Sequence, residues 1–248
     1  MVCRCISFYT INKKNMNIKE EELFNYINCP TFYDLAYNKH IPIKDNLSMQ
    51  TLLDTVTHYF YSNLINGKVC TMDELKNKWD SICDKNKYYI DSKKNLEGIN
   101  YIINFARFIV DYKPNIIDFE KYYEVDIDGI ILNGNISVIN MLPNRKIELL
   151  IHRFSNKAPN QIELDKKLKY TIDSYVLKKL YNCEVAAIKV IHHKNNSEYI
   201  TTRNNNDYDR LEISIKNIAK CIKDNLYYPR ENVFCNTCYY KEYCKYWC

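Results

Sequence analysis

The chain has 248 residues, 46% of them hydrophobic, with a formal charge of +5, so it is long enough to bury a sizeable core and is expected to fold as one domain. Only four glycines are present, Gly67, Gly98, Gly129 and Gly134, too few and too dispersed for a phosphate-cradling GxGxxG or P-loop. That excludes nucleotide-binding folds built on those loops, while the mild basic excess is compatible with an acidic polymer such as DNA as partner. No apolar run reaches membrane-spanning length and the opening MVCRCISFYTINKKN is too short in apolar residues for a secretory signal. An intracellular protein with no membrane partner is expected, and its eleven cysteines then read as metal ligands or catalytic thiols before disulfides.

In chain order, the first half is helical. Met49, Leu52, Leu53, Val56, Phe60 and Leu64 recur at three- and four-residue steps, and so do Leu96, Ile99, Ile103, Ala106 and Val110. Between them Thr71 and Glu74 have capping-box spacing ahead of a stripe of Leu75, Trp79 and Ile82. Residues 18–113 are therefore assigned to a helical lobe. From Pro114 the runs IIDFEKYYEVDI, GIILNGNISVIN and KIELLIHRF, parted by Asp128-Gly129 and Pro143-Asn144, predict a three-strand meander. A helix over 161–181, with Leu164, Leu168, Ile172, Tyr175 and Val176 on one face, precedes an apolar strand, EVAAIKVIHH. Residues 114–204 form the sheet core on this reading, with the Asn/Lys-rich stretches at 85–95 and 194–206 as loops. The final segment, 205–248, holds a helix and a Cys tail. The order predicts an α/β fold, a mixed sheet flanked by helices.

The tail CNTCYYKEYCKYWC sets Cys235, Cys238, Cys244 and Cys248 in a C-x2-C-x5-C-x3-C array. A turn carrying C-x2-C can supply two soft donors to one centre. The fourth donor is either Cys248, giving a self-contained zinc site on Cys235, Cys238, Cys244 and Cys248, or a distant thiol. The distant candidate is Cys29, just before Pro30 at a helix break. Cys3 and Cys5 form a weaker C-x-C pair, and Cys70, Cys83, Cys183 and Cys221 read as buried small hydrophobes.

Tyr26-x2-Cys29-Pro30 with Phe32 and Tyr33, joined to a C-terminal C-x2-C-x5-C, resembles the iron–sulfur branch of the PD-(D/E)xK nucleases, which includes AddB-type helicase-nuclease subunits and the exonuclease of CRISPR adaptation modules. The resemblance covers most of the chain in order. It implies a restriction-endonuclease-like sheet and a [4Fe–4S] cluster on Cys29, Cys235, Cys238 and Cys244, stapling the two ends of the domain. It also puts His58 at the place of the metal-binding His.

The site strings of that family run l-x-G-x-I-D and I-I-D-y-K-T-G, where this chain has LNGNIS and ELLIHRFSNKAP. Ser137 and Ile151 then stand where the two carboxylates belong, Arg153 where the Lys belongs, and Thr171 where a Gln is expected, with Tyr175 at the Tyr place. A one-residue slide puts His152 and Phe154 in the second pair of positions and restores no acid. Glu148 lies on the opposite side of the strand from Ile151. Ser and Ile cannot hold Mg²⁺, which wants anionic oxygens, so no Mg²⁺ is expected unless the site has moved. The D-x-K matches at Asp111, Asp91 and Asp165 lie off the required element.

The leading expectation is a catalytically inactive nuclease fold that binds nucleic acid, or serves as a scaffold, in replication, repair, recombination or defence. Arg153, Lys166, Lys167 and Lys169 are its candidate phosphate contacts, and protein partners in a larger complex are expected. One alternative is an active exonuclease with a relocated site using His58 with Asp126 or Asp128; another is a protein-interaction subunit without nucleic-acid contact.

Overall fold

The computed structural model describes residues 16–43 and 47–246; Cys3, Cys5 and Cys248 lie outside the described residues. The described residues divide into two compact units, one of 16–41, 124–134 and 213–246, the other of 42–43, 47–123 and 135–212.

The first unit opens with β1 (Met16–Lys19), which leads directly into α1 (Glu20–Asn28). A short α2 (Pro30–Tyr33) follows and runs on into a π-helical turn over Asp34–Asn38. Pro30 begins α2 at its first position, where the missing N–H is no loss. The extended Cys29 (φ −162°) is the break between the two helices. Assigning the front of the chain to helices overlooked β1. Four residues hold no strand signal by themselves, and β1 exists because its backbone pairs in parallel with 130–133, as in Ile18 with Leu132. In the tail, 3₁₀ turns occupy Cys235–Thr237 and Lys241–Tyr243.

Two segments some 200 residues apart close this unit. The Tyr26 hydroxyl donates to the Leu226 carbonyl at 2.6 Å, and the Thr31 N–H to that of Tyr228 at 3.2 Å. In return Arg230 Nη1 donates to the Ile27 carbonyl at 2.6 Å and Asn232 Nδ2 to that of Asn28 at 3.0 Å. Rings add to the closure: Tyr33 stacks on Tyr227 at 6.0 Å and Phe32 meets Tyr240 edge-on at 4.8 Å.

The second unit contains α3 (Met49–Ile65), α4 (Met72–Lys85) and α5 (Ser92–Tyr112). Ser48, Thr71 and Asp91 cap their N-termini by accepting from the third backbone N–H, and Thr71 with Glu74 makes the expected capping box. Strands β2 (Ile116–Ile127), β3 (Ile130–Met141) and β4 (Ile147–Arg153) follow. Next come α6 (Gln161–Asp165), α7 (Leu168–Tyr181), β5 (Val185–His192), β6 (Ser197–Thr201) and α8 (Asn205–Lys223). Of these elements, the β2–β3 hairpin over 124–134 and the end of α8 from Ile213 belong to the first unit. The hydrogen-bonded sheet is mixed, in the order β1-β3-β4-β5-β6 with β2 on β3. Asp128 (φ 53°) and Gly129 (φ 85°) turn β2 into β3, the two left-handed residues that a tight hairpin requires. The 194–206 stretch is not all loop: β6 forms there by antiparallel pairing with β5. The helix expected over 161–181 is broken at 166–167 into α6 and α7.

Leu52, Leu53, Val56 and Phe60 of α3 and Leu75, Trp79 and Ile82 of α4 enter the core as their spacing requires. In α5 the buried face is not the aliphatic stripe. Tyr101, Ile102, Phe105 and Phe108 are buried, whereas Leu96, Ile103 and Val110 are 61%, 39% and 67% exposed. The aromatics carry more apolar area per residue, and Gly98 lets Trp79 approach so closely that a methyl group there would collide with the indole. Cys70, Cys83, Cys183 and Cys221 are half-buried rather than buried. Among the described residues, no helix is long and apolar enough to cross a membrane.

A buried imidazole pair sits in this core. His152 Nδ1 and His193 Nε2 are 2.8 Å apart, and His152 Nε2 is 2.6 Å from the Tyr61 hydroxyl. Phe105, Phe108 and Phe154 surround both rings. One nitrogen of the shared contact must be unprotonated, so the two rings cannot both be charged, and burial favours the state in which neither is. Burial first, and the neighbouring His second, holds His152 well below the usual imidazole value of 6.5; burial pushes His193 down to about 3. Above pH 6.5 the rings are neutral in both folded and unfolded chains and cost nothing. As pH falls from 6.5 toward about 3 the unfolded chain takes up protons that the folded rings refuse, and stability drops by up to about 1.4 kcal/mol per pH unit for each ring. Urea unfolding at stepped pH is expected to show that slope, smaller by about one proton in His193→Phe; equal slopes for the two proteins would exclude a neutral pair.

Candidate functional site

Within the second unit, strands β3 and β4 bring together the positions that the sequence resemblance singled out. Val138 pairs with Leu150, so Ser137 and Ile151 lie one step beyond, level with each other and half-buried. Along β4, Ile151 and Arg153 share one face and Glu148, Leu150 and His152 the other, because side chains alternate. Glu148 is buried, accepting from the Tyr112 hydroxyl and from Asn140 Nδ2 at 3.1 Å, with Lys189 Nζ 3.9 Å away. Its carboxylate is committed to that network and not to the face of Ile151.

Arg153 Nε donates to Ser155 Oγ at 3.0 Å, which leaves the rest of the guanidinium for other partners. Lys166 and Lys167 are exposed in the break between α6 and α7. The Lys167 ammonium lies 5.0 Å over the Tyr170 ring, and desolvation, then the charge of Arg153, lowers its pKa. Thr171 is buried, accepting from Arg203 Nε at 2.8 Å, and the Tyr175 hydroxyl donates to Glu212 at 2.5 Å.

Lys169 is the residue that changes the reading of this face. Its Nζ donates to the Asn135 carbonyl of β3 at 2.7 Å and to Asp173 Oδ1 of α7 at 2.7 Å, and Asp173 is fully buried. A surface phosphate contact was the expected role; instead an ammonium links a strand carbonyl and a buried carboxylate, the kind of oxygen ligands a metal would take. The i, i+4 spacing of Lys169 and Asp173 was visible in the sequence; the burial that gives it weight was not.

His58 is exposed on α3, with Nδ1 2.8 Å from Glu120 Oε2 and its ring edge-on to Phe119. Glu120 has a left-handed backbone (φ 47°) inside β2, a local kink that re-aims the side chain. Asp54 lies one helical turn before His58, and loss of solvation, assisted by the Glu120 carboxylate and opposed by a Gln50 hydrogen bond, raises its pKa to about 6. The sequence pattern offered Asp126 and Asp128 as partners of His58. In the fold Asp126 accepts from the Gly129 N–H at 2.7 Å to close the hairpin, and Asp128 pairs with Lys216. Asp111 is exposed on the last turn of α5.

In the first unit, Cys29, Cys235, Cys238 and Cys244 are neighbours. Burial raises the Cys238 thiol pKa; a hydrogen bond from the Tyr240 backbone opposes this, and the charges of Cys29, Cys235 and Cys244 add to it. Backbone N–H groups also donate to two other sulfurs, Arg230 to Cys29 at 3.5 Å and Asn232 to Cys235 at 3.4 Å. Among the described residues, no group of three or more His, Cys, Asp or Glu side chains is arranged to hold a metal ion. In donor chemistry the four thiols fit a soft metal centre: three sulfurs that disfavour the Cys238 thiolate are what a bound cation would relieve, and peptide N–H donors complement sulfur charge.

No protein family and no curated protein matches the sequence. Among solved structures, the fold is similar to that of a protein from Eubacterium rectale provisionally described as an exonuclease, at 12% identity, TM-score 0.54, over 96% of this chain and 92% of that one. A second similarity, to the protein SSO0001, has 13% identity and TM-score 0.42 over 96% and 89% of the two chains, and no argument rests on it. The mixed α/β fold is thus nuclease-like.

Because Asp173 is fully buried, removing the Lys169 ammonium takes away a charge contact that solvent cannot replace. Lys169→Met is expected to cost about 3–5 kcal/mol in urea denaturation, most of it recovered in Lys169→Met/Asp173→Leu. A loss under about 1 kcal/mol in the single variant would show that the pair is a surface contact.

Proposed function

We propose that this chain is a nuclease-fold protein without hydrolytic activity, which binds nucleic acid along the face of Arg153, Lys166 and Lys167 as a subunit of a replication, repair, recombination or defence complex. The observation that carries the reading is the Lys169 ammonium held between the Asn135 carbonyl and Asp173, beside a strand pair with Ser137 and Ile151 in the carboxylate places. Two-metal hydrolysis needs anionic oxygens that converge on Mg²⁺, and here the buried carboxylate is already neutralised by a fixed cation. Arg153 and Lys167 retain the charge to grip a phosphate where chemistry is gone.

Cys29, Cys235, Cys238 and Cys244 are proposed to hold a [4Fe–4S] cluster, as in the iron–sulfur branch that the sequence resembles, and an intracellular, reducing setting would keep those thiols available. The cluster would crosslink segments that side-chain and backbone bonds already join. Zinc on Cys235, Cys238, Cys244 and Cys248 is the competing assignment.

A second reading, a metal-dependent exonuclease with a relocated site, is favoured by the His58–Glu120 contact with Asp54 beside it. The two are separated by incubating the protein with single- and double-stranded DNA and Mg²⁺ or Mn²⁺, together with a salt titration of binding. The expected result is no cleavage and an affinity that falls steeply with salt; cleavage abolished by His58→Ala and Glu120→Ala would establish the relocated site. Binding that is absent or flat with salt would leave protein interaction as the role. For the thiols, anaerobic absorption with iron and sulfide counts is expected to reveal a cluster that Cys29→Ser destroys. Metal that survives Cys29→Ser would place it on the tail alone.

A further inference from the structure

Leu96 and Ile103, two aliphatic residues of α5 that stay out of the core, line a groove. A 640 Å³ cavity in the second unit has Lys93, Leu96, Asn100, Ile103 and Arg107 of α5 along one wall and Asn156 on the other. The walls are fixed to each other by side-chain bonds. Asn104 Nδ2 donates to the His193 carbonyl at 2.8 Å, and Lys194 Nζ stands 3.6 Å from Glu97 Oε1 and donates to Asn156 Oδ1 at 2.5 Å. The groove is therefore preformed, and its volume is that of a ligand site.

Its chemistry is uneven in an informative way. From Lys93 to Arg107 the helix advances about 21 Å, which puts a cation at each end. Neither Lys93 nor Arg107 has an acidic partner among the described residues, while Lys194 in the middle is already paired with Glu97. Between the ends lie exposed aliphatic surface, Leu96 at 61% and Ile103 at 39%, and the amide of Asn100. Charge at the ends with apolar and amide surface between matches a strand whose phosphates are spaced along its backbone and whose bases have flat apolar faces and hydrogen-bonding edges.

We infer that the α5 groove is a binding track for single-stranded nucleic acid, with Lys93 and Arg107 on phosphates and Leu96, Ile103 and Asn100 under the bases. The inference rests on the proposed function only in taking nucleic acid as the partner; the groove shares no residue with the Arg153–Lys167 face. A span of about 21 Å exceeds one nucleotide, so a strand is preferred to a free nucleotide as the source of the phosphate ester.

Fluorescence anisotropy with a labelled single-stranded oligonucleotide and a labelled mononucleotide tests this in wild type, Lys93→Ala/Arg107→Ala and Arg153→Ala/Lys167→Ala. The groove variant is expected to weaken strand binding about tenfold and to reduce the salt slope by about 1.4, two phosphate contacts at about 0.7 each, with thermal stability unchanged. Strand binding unchanged in the groove variant but weakened in Arg153→Ala/Lys167→Ala overturns the groove and leaves the proposed function standing. A mononucleotide that binds wild type as tightly as the strand overturns the strand assignment. Failure of wild type to bind any strand removes both readings.

Discussion

Closure of the first unit is the constraint on which its architecture depends. Tyr26 and Leu226 are 200 residues apart in sequence, and bringing such distant segments together costs about 5 kcal/mol of loop entropy before any contact is made. The bonds from Tyr26, Thr31, Arg230 and Asn232 across the junction, at about 1 kcal/mol net each, offset most of that cost, and the stacked tyrosines contribute the rest. Cys29 lies at the same junction, its sulfur accepting from the Arg230 N–H. A metal centre there would act on a join that the polypeptide already makes.

In the second unit the two faces of β4 meet different surroundings. One face of β4 sends Glu148, Leu150 and His152 toward buried partners, where Tyr112, Asn140 and Tyr61 satisfy the polar groups. Its other face carries Ile151 and Arg153, with Ser137 of β3 level with Ile151. Ile147 and Leu149, on the same face as Ile151 and Arg153, are fully buried, so β4 is packed on both faces at its start and opens only toward its end. The cost of a buried Asp173 is met by Lys169, an internal cation that needs no metal.

Much of this was legible in the sequence, because local rules dominate where they are strong. The capping box of Thr71 and Glu74, the Asp128-Gly129 hairpin, the α3 and α4 stripes, and the meander followed by a helix and a strand all depend on neighbours within a few residues. The residue types at Ser137, Ile151 and Arg153, and the spacing of the tail cysteines, were also fixed by sequence. Only the tertiary structure decided the rest. β1 and β6 are strands because a partner backbone lies beside them, and α5 buries Tyr101, Phe105 and Phe108 because Gly98 admits Trp79 against that face. Glu120 meets His58 through a left-handed kink, and Asp173 became significant only once its burial was known. Periodicity reports which side chains share a face, but the choice of which face is buried belongs to the packing area and space that distant residues provide.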